Sequence, residues 1–598
     1  MTQRIRCTLA LAILSLTGCS AQDADLPAPL APEVSSGYRT GLTSIHSTRH
    51  MAAAANPLAT QAGQQMLREG GSAIDAAIAM QAVLTLVEPQ ASGVGGGAFI
   101  LYWDGKRVQA YDGRETAPQG ADGNLFLRPD GTPMDFSEAQ IGGRSVGTPG
   151  VLRALEMAHR EHGKLPWARL FQPAIELAQR GFALSPRLHA QIVADKFLAQ
   201  SPAMAAYYLT AEGKPKAVGT VLQNPALANT LQRIANEGAE ALYRGPIAEA
   251  IVRAVNGSAN PGSLSLADLQ GYQARQRTPV CSDYKQWRVC GMPPPSSGGV
   301  AVAQTLGVLQ ALQQRDPRND LAQWVPRAHD SAAGQEPDPR AVHWMAEAER
   351  LAYADRGLYL ADPEYVPVNV AGLIDPGYLA QRAALVGDVS MGVAKPGVPP
   401  GPAVALAPDR SPLRISTSQI VAADDLGQAI SMTTTVESYF GSHLMVEGFM
   451  LNNQVTDFSF IPSENGTPVA NRVEPGKRPR SSMAPTLVFD RQSGQLLSTL
   501  GSPGGSQIIE YVNKALIGML DWKMDPQAAI NLPNFGSRNA GTELEAGLVS
   551  PRLIQQLQAQ GHKVTPIEMT SGTQAIVRHG QGWIGGADPR REGTVLGD

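Results

Sequence analysis

Two threonines in the C-terminal third of the chain have a spacing that could place their hydroxyl groups side by side. Thr417 opens the strand-like run STSQIVAA, and Thr435 lies in the run AISMTTTVE, with DDLGQ between the two runs. If the turn centres on Leu426, facing residues have numbers that sum to 852, so Thr417 and Thr435 oppose each other to within one residue. Threonine is also common on solvated strand faces, so this pairing by itself does not establish a site.

Other features strengthen the case for chemistry at Thr417. A proline-rich tract, KPGVPPGPAVALAPDRSP, precedes it and predicts a linker over 387–415. Ser481 and Ser482 stand before a predicted strand, and Gly504 and Gly505 stand between a strand and a helix. Successive glycines at a helix start present free backbone N–H groups, which suit an anion or an oxyanion.

Composition narrows the class of protein. The 598 residues are 43% hydrophobic and 17% charged, with a formal net charge of −4 and no long basic run. Because phosphate binding needs a concentrated basic face, nucleic acid is excluded as a partner. The ten histidines form no metal-ligand motif in the sequence, so we predict no metal and no cofactor.

The N-terminus resembles an export signal. MTQRIRC carries two arginines, and the apolar run TLALAILSLTG is too short to span a membrane. Small residues lead into Cys19, which predicts a lipoprotein signal over 1–18, lipidation of Cys19 and a polar tether over 19–37. The alternative is an ordinary secretory signal with an incidental cysteine. The expected location is the periplasm, at the outer membrane, with the lipid as the sole membrane anchor.

The remaining cysteines, Cys281 and Cys290, flank SDYKQWRV. Export would place them in an oxidising compartment, and two short strands closed by a turn would bring them face to face. We predict a disulfide rather than a metal site, since no histidine lies close to them in sequence.

Periodicity outlines the fold. Residues 38–90 and 150–275 have helical patterns, whereas strand-like runs appear at 417–423, 428–436, 485–490 and 496–500. Helices followed by a strand-rich segment, with few βαβ units, predict stacked antiparallel sheets covered by helices rather than a doubly wound fold. The G-x-S-x-G match at 143–147 lacks a preceding buried strand, so Ser145 is interpreted as a loop residue.

Taken together, the ordered blocks of the sequence resemble the γ-glutamyltranspeptidase family of N-terminal-nucleophile hydrolases. The resemblance covers about residues 40–595. The blocks that carry it are NPLATQAGQQMLREGGSAIDAAIA, VEPQASGVGGGAF, DGRETAP, MPPPSSGG, AEAERLAYADRGLYL, LNNQVTDFS, KRPRSSMAPT, GSPGGSQII and GGADPRREG.

The resemblance implies an α+β fold, a four-layer αββα sandwich, and a precursor that cuts itself. The cut would fall between Ser416 and Thr417, leaving a large subunit, 38–416, and a small subunit, 417–598, that stay together as a heterodimer. The freed α-amine of Thr417 can then act as the base for its own hydroxyl, because an unperturbed α-amine has a pKa of roughly 7.7–8.0.

Site roles follow from matching motifs. Thr435 corresponds to the threonine whose hydroxyl contacts the nucleophile, and Gly504 and Gly505 correspond to the oxyanion hole. Arg114 would hold the substrate α-carboxylate, a task suited to a forked guanidinium. The other expected substrate-binding residues are Glu437, Gln454 and Asp457 around the α-amino group, and Ser481 and Ser482 at the carboxylate.

The chain departs from the family pattern at Gln419, where the family often has histidine. The expected reaction is transfer of the γ-glutamyl group of glutathione, or a related compound, to water, amino acids or peptides. Two alternatives stay open: a related cephalosporin or glutaryl acylase or poly-γ-glutamate amidase that uses the same nucleophile, and a surface lipoprotein that binds without catalysis. The segment between Asp457 and Ser481 predicts at least a partial lid.

Overall fold

The computed structural model of the protein describes residues 37–402, 404–409 and 416–598. The predicted signal segment, Cys19 and all but the last residue of the tether lie outside the described residues. Within them, fourteen strands form two seven-stranded sheets at the centre of the molecule. In chain order these strands are β1 (Ile45–Ser47), β2 (Met51–Ala54), β3 (Gly97–Trp103), β4 (Val108–Gly113), β5 (Arg275–Arg277), β6 (Val280–Tyr284), β7 (Trp287–Gly291), β8 (Ser418–Ala423), β9 (Ala429–Thr435), β10 (Thr486–Asp490), β11 (Leu496–Gly501), β12 (Gln574–His579), β13 (Gly582–Ala587) and β14 (Thr594–Gly597).

We call the sheet with the order β14-β2-β8-β9-β3-β4-β5 the front sheet. The back sheet has the order β1-β13-β12-β11-β10-β7-β6. Every neighbouring pair of strands in both sheets is antiparallel. The hairpin β8–β9, which begins one residue after Thr417, therefore lies in the middle of the front sheet, and β11, which leads to Gly504, lies in the middle of the back sheet.

Helices cover both outer faces of this pair of sheets. The helices of nine residues or more are α1 (Pro57–Arg68), α2 (Ala73–Val87), α3 (Val151–His162), α4 (Gln172–Arg180), α5 (Pro186–Ala194), α6 (Pro225–Glu237), α7 (Gly245–Asn256), α8 (Gly298–Arg315), α9 (Pro339–Tyr359), α10 (Ile508–Leu520) and α11 (Pro551–Ala559). Side chains of α1 to α7 share one apolar core with the outer face of the front sheet. Side chains of α8 to α11 share another with the back sheet. The predicted four-layer αββα sandwich is confirmed.

Alternation along β8 explains how one strand serves both cores. Ile420 and Ala422 belong to the core under α1 and α2, whereas Val421 and Ala423 belong to the core between the sheets. Successive side chains of a strand point to opposite faces, and both faces of β8 are covered. The odd-numbered residues of this hairpin therefore face the back sheet.

The helical prediction for 38–90 is wrong at its start. Residues 45–47 and 51–54 are strands, and helix begins only at Pro57. Alanine has a high helix propensity, which made MAAAA appear helical. Here β2 lies between β14 and β8 with both faces buried, and small side chains fit the narrow space there, so tertiary packing outweighs local propensity.

The predicted disulfide joins Cys281 to Cys290, which face each other across β6 and β7 with a Cα–Cα distance of 4.0 Å. Among the described helices, none combines the length and the apolar character that a membrane span requires. The hydroxyl of Ser145 donates to the carbonyl of Gln140 in a short 3₁₀ turn, as expected of a loop residue.

The first half of the proline-rich linker is attached to α9. The carbonyl of Gly387 accepts from His343 at 2.7 Å, the amide of Met391 donates to Glu347 at 2.8 Å, and the amide of Gly397 donates to Asp355 at 2.8 Å. These bonds recur on one face of the helix over three turns. Later described residues of the linker are also bonded: the carbonyl of Pro400 accepts from Asn369 at 2.6 Å, and Asp409 accepts from Arg480 at 2.8 Å.

Candidate active site

Thr417 and Thr435 face each other across the hairpin β8–β9. Ser418 pairs with Thr434 and Ala423 with Ala429, so the predicted sum of 852 holds along the whole ladder. Thr417 precedes the first pair and Thr435 ends β9, which makes them the next facing positions. Both are buried, and as odd-numbered residues both lie on the side of the back sheet.

The carbonyl of Ser416, which precedes Thr417, is the centre of a small hydrogen-bond group. The hydroxyls of Thr417 and Thr435 both donate to the carbonyl oxygen of Ser416, the latter at 3.1 Å. The amide of Glu437 donates to the Thr435 hydroxyl at 2.8 Å and so orients it. One hydroxyl is therefore adjacent to the carbonyl that it would attack, and a second polarises the same carbonyl.

The glycine pair comes from the opposite sheet. β11 ends at Gly501, and the loop that follows reaches Gly504 and Gly505, which have φ angles of +135° and +56°. A side chain at Gly504 would also meet the ring of Tyr511, with a Cβ-to-carbon distance of 2.5 Å. Glycine is required here both by the backbone conformation and by the close contact.

Side chains behind this loop hold it in place. The carbonyl of Ser506 accepts from the hydroxyl of Tyr353, and its side-chain oxygen accepts from Arg538 at 2.7 Å. The side-chain amide of Gln507 donates to the carboxylate of Glu543 at 2.8 Å. The loop that begins α10 is thus supported by buried hydrogen bonds, as a preorganised anion site requires.

Arg114 is buried directly after β4 and makes three hydrogen bonds through its guanidinium group. It donates to Asp457 at 2.5 Å and to the carbonyls of Pro479 and Arg480 at 3.1 and 3.0 Å. Gln454 donates to the same oxygen of Asp457 at 2.7 Å. Arg114 thus pairs with Asp457, a residue that the sequence analysis placed near the substrate α-amino group.

Glu437 is held separately, at a φ of +81°. Its carboxylate accepts from Asn453 at 2.6 Å and from the Ser438 hydroxyl at 2.5 Å. The amide of Asn453 donates to the carbonyl of Val436 at 3.1 Å. This bond ties the segment that carries Gln454 and Asp457 to the end of β9, next to Thr435.

Ser481 and Ser482 lie next to the segment PPPSS, residues 293–297. Ser481 receives a bond from the Ser297 hydroxyl on its carbonyl at 2.6 Å, and its amide donates to Pro295 at 3.0 Å. The Ser482 hydroxyl accepts from Arg356 at 2.7 Å. Because Arg480 accepts from Arg114, the serines and the arginine belong to one connected group.

Two residues near the site carried no role in the sequence interpretation. Arg591 donates to the carbonyl of Thr417 at 2.9 Å. Glu115 is fully buried, and neither of its carboxylate oxygens has a hydrogen-bond partner among the described residues. Arg591 lies in the block GGADPRREG, and Glu115 follows Arg114 in DGRETAP, so adjacency to a family motif was the available signal.

Burial raises the pKa of Glu115 to about 8, although Arg114 acts in the opposite direction. The folded protein therefore keeps this carboxyl protonated where the unfolded chain would release the proton. Stability is lost as pH rises from about 4.5, the pKa of an exposed glutamate, to about 8.

We expect Glu115→Gln to raise the melting temperature at pH 8.5 by ~1 °C or more and to leave it unchanged at pH 4. Calorimetry at both pH values measures this. Glu249→Gln, on an exposed face of α7, should have no such pH-dependent effect. An equal shift at both pH values for Glu115→Gln would contradict the argument.

Away from the site, His343, Glu347 and His562 come within metal-ligand distance of one another. Sequence spacing could not reveal this, because His562 follows α11, far along the chain from α9. His343 Nδ1 lies 2.7 Å from His562 Nε2, and Thr542 Oγ1 lies 2.7 Å from His562 Nδ1. With the bond from His343 to Gly387, every ring nitrogen has a partner, and Glu347 accepts from Ser390 and Met391. The cluster fastens the linker to α9.

The family model described as Gamma-glutamyltranspeptidase matches residues 59–598. The chain belongs to the gamma-glutamyltranspeptidase family. It is an enzyme of the N-terminal-nucleophile class. The chain is 33% identical over 561 residues to the glutathione hydrolase proenzyme of Bacillus subtilis (strain 168), which covers 92% of this chain and 91% of the relative.

Acylases are also among the relatives. The acylase ACY 1 proenzyme of Pseudomonas sp. (strain V22) is 33% identical over 561 residues, covering 92% of this chain and 93% of the relative. A crystal structure of cephalosporin acylase from Bacillus halodurans has a TM-score of 0.78 at 24% identity, over 94% of this chain and 98% of that one. That structure shares the fold of this gamma-glutamyltranspeptidase family member.

Proposed function

We propose that the protein is a self-cleaving γ-glutamyltransferase and glutathione hydrolase. It transfers the γ-glutamyl group of glutathione and related compounds to water, amino acids or peptides through a γ-glutamyl-threonyl intermediate. The observation that carries this proposal is the pair of threonine hydroxyls on the Ser416 carbonyl, buried between the two sheets.

Maturation breaks the bond between Ser416 and Thr417. Thr417 Oγ1 adds to the Ser416 carbonyl carbon and its proton passes to the Thr417 nitrogen as the peptide C–N bond breaks, which leaves an ester and a free α-amine. Water then hydrolyses the ester and releases the Ser416 carboxylate. The products are a large subunit that ends at Ser416 and a 182-residue small subunit, 417–598. Because β8 lies between β2 and β9, the two subunits share one sheet and stay together as a heterodimer.

Turnover uses the same hydroxyl on a different carbonyl. The new α-amine of Thr417 takes the proton of Oγ1 as the oxygen attacks the γ-glutamyl amide carbon. The backbone N–H groups at Gly504 and Gly505 stabilise the oxyanion, the amine leaves with the proton, and water or an acceptor amine then breaks the ester.

Binding of the donor uses the connected group of polar side chains. Arg114, with Ser481 and Ser482, holds the α-carboxylate of the γ-glutamyl group. Asp457, Gln454 and Glu437 accept hydrogen bonds from its α-ammonium. In this arrangement the two opposite charges of the zwitterion lie against Arg114 and Asp457, which also pair with each other.

The acylase alternative would use the same nucleophile, and acylases occur among the relatives. A glutaryl group, however, has the carboxylate and lacks the ammonium. Arg114, which already pairs with Asp457, would then be the shared cation for Glu437, Asp457 and the glutaryl carboxylate, an unfavourable excess of negative charge. The presence of Glu437 and Asp457 supports the γ-glutamyl substrate.

The direct test is an assay of the purified protein on γ-glutamyl-p-nitroanilide, with and without glycylglycine. We expect the protein to release nitroaniline, and to release it faster when glycylglycine is present as the acceptor. We also expect a small subunit whose N-terminal sequence is Thr-Ser-Gln-Ile. A protein that releases nitroaniline from glutaryl-p-nitroanilide and not from γ-glutamyl-p-nitroanilide would be an acylase.

We also propose export to the periplasm, with Cys19 lipidated and the outer membrane as the site of anchoring. The support is the charged start, the short apolar run and the small residues before Cys19. Two or more acyl chains anchor a protein stably where one does not.

Cys19→Ala should therefore move the activity from the membrane fraction to the soluble periplasmic fraction without reducing it. Fractionation followed by the nitroanilide assay measures this. Cys19 lies outside the described residues, and the control is the specific activity of the variant. Membrane association that survives Cys19→Ala would show another anchor.

A further inference from the structure

Gln419, the residue that departs from the family pattern, lies between the two sheets rather than in the substrate site. It is fully buried and stands directly opposite Thr433 in the hairpin. Its carbonyl oxygen accepts from the Thr433 hydroxyl at 2.7 Å, and its amide donates to the Ser431 hydroxyl at 3.0 Å. Thr417, Gln419, Ser431, Thr433 and Thr435 thus form one polar stripe that faces the back sheet.

Two hydrogen bonds continue from this stripe across the sandwich. The Ser431 hydroxyl donates to the carbonyl of Leu500 at 2.7 Å. The Thr499 hydroxyl donates in the opposite direction, to the carbonyl of Ile430 at 2.8 Å. We call these two the cross-sheet bonds. They join β9 of the front sheet to β11 of the back sheet.

Gln419 also makes a steric contact with the same strand. A side chain at Gly501 would lie 2.4 Å from Gln419 Nε2, so the amide packs directly on the Gly501 backbone. Gly501 is the last residue of β11, three residues before Gly504, and Gln419 is two residues after Thr417. The contact therefore links the strand of the nucleophile to the strand of the glycine pair at their catalytic ends.

The rest of the interface between the sheets is largely apolar, with side chains such as Val421, Ala423 and Leu487. Apolar contacts are non-directional and do not by themselves determine how one sheet is placed along the other. The cross-sheet bonds are directional, and they can set that placement.

The two reactions assigned to Thr417 differ in which sheet supplies their second group. For self-cleavage, the second group is the Thr435 hydroxyl, which donates to the Ser416 carbonyl. It comes from β9, the strand that pairs with β8 next to Thr417. For turnover, the oxyanion donors are in the loop after β11, in the other sheet. Displacement of one sheet along the other would change the distance from Thr417 to the oxyanion donors. It would leave the contact between Thr435 and the Ser416 carbonyl intact.

We propose that Gln419 and the cross-sheet bonds of Ser431 and Thr499 are positioning elements for turnover that self-cleavage does not need. The proposal rests on the function proposed above. A displacement of about 1 Å at a catalytic group can cost on the order of a hundredfold in rate, so partial loosening should cost tenfold or more.

The test uses Thr499→Val, which keeps the side-chain shape and removes the hydroxyl, together with Ser431→Ala and Gln419→Met. Thr499→Ser retains the hydroxyl and should restore the wild-type rate. Ser498→Ala is the matched control, because Ser498 is a buried hydroxyl of the same strand whose bond, 3.1 Å to Ile576, stays within the back sheet. Self-cleavage is followed on denaturing gels, and kcat and KM on γ-glutamyl-p-nitroanilide.

We expect the first three variants to cleave themselves as the wild type does, with kcat at least about tenfold lower and KM within about twofold. Ser498→Ala and Thr499→Ser should stay within about twofold in kcat. The proposal is overturned if Thr499→Val keeps the wild-type kcat, or if self-cleavage slows in parallel with turnover. A wild-type protein that cleaves itself yet has no γ-glutamyl activity would instead refute the proposed function.

Discussion

Replacing Thr417 with alanine is expected to leave one uncut and inactive chain. The Thr417 hydroxyl is the group that donates to the Ser416 carbonyl and would attack it, and the same oxygen would carry the γ-glutamyl group. Its removal therefore abolishes both reactions, so activity should fall by several orders of magnitude, as on loss of other nucleophiles. Denaturing gels and the nitroanilide assay measure the two effects.

Two variants serve as controls for this result. Thr417→Ser keeps a hydroxyl and should still produce two subunits, more slowly. Ser418→Ala removes a hydroxyl one residue away that points to the opposite face, where it donates to Glu88 at 2.5 Å, and it should also give two subunits. Two normal bands from Thr417→Ala would refute the assignment of the nucleophile.

Asp457→Asn is expected to separate γ-glutamyl from glutaryl substrates. The change keeps the shape and an acceptor oxygen for Gln454 but removes the negative charge that would face the substrate ammonium. A hydrogen bond to a charged group contributes ~1.5–3 kcal/mol, so kcat/KM on γ-glutamyl-p-nitroanilide should fall tenfold or more.

Glutaryl-p-nitroanilide is the internal control for Asp457→Asn. It offers Arg114 a carboxylate and has no ammonium, so its kcat/KM should change much less. It can even rise, because Arg114 no longer holds Asp457 as a counter-ion. Equal losses on both substrates, or a wild-type enzyme that prefers the glutaryl compound, would favour the acylase function.

Local patterns predicted the parts of this molecule that depend on neighbouring residues. The hairpin register around Leu426 was correct because a short turn leaves two strands few ways to pair. The disulfide was correct for the same reason, since one hairpin brings Cys281 and Cys290 together. β2 was missed because alanine favours helix in isolation, and only its pairing with the neighbouring strands β14 and β8 makes it a strand.

The candidate active site also has features that the local sequence predicts and features that only tertiary packing decides. The sequence predicted Thr417, Thr435 and the glycine pair from their places in strands and turns, and it predicted Arg114 from the resemblance of DGRETAP to the family. The tertiary structure decided their surroundings: Asp457 pairs with Arg114, Gln419 lies between the two sheets, and the buried carboxylate of Glu115 has no hydrogen-bond partner among the described residues. Those outcomes depend on packing between segments that are tens to hundreds of residues apart, and local periodicity carries no information about such distances.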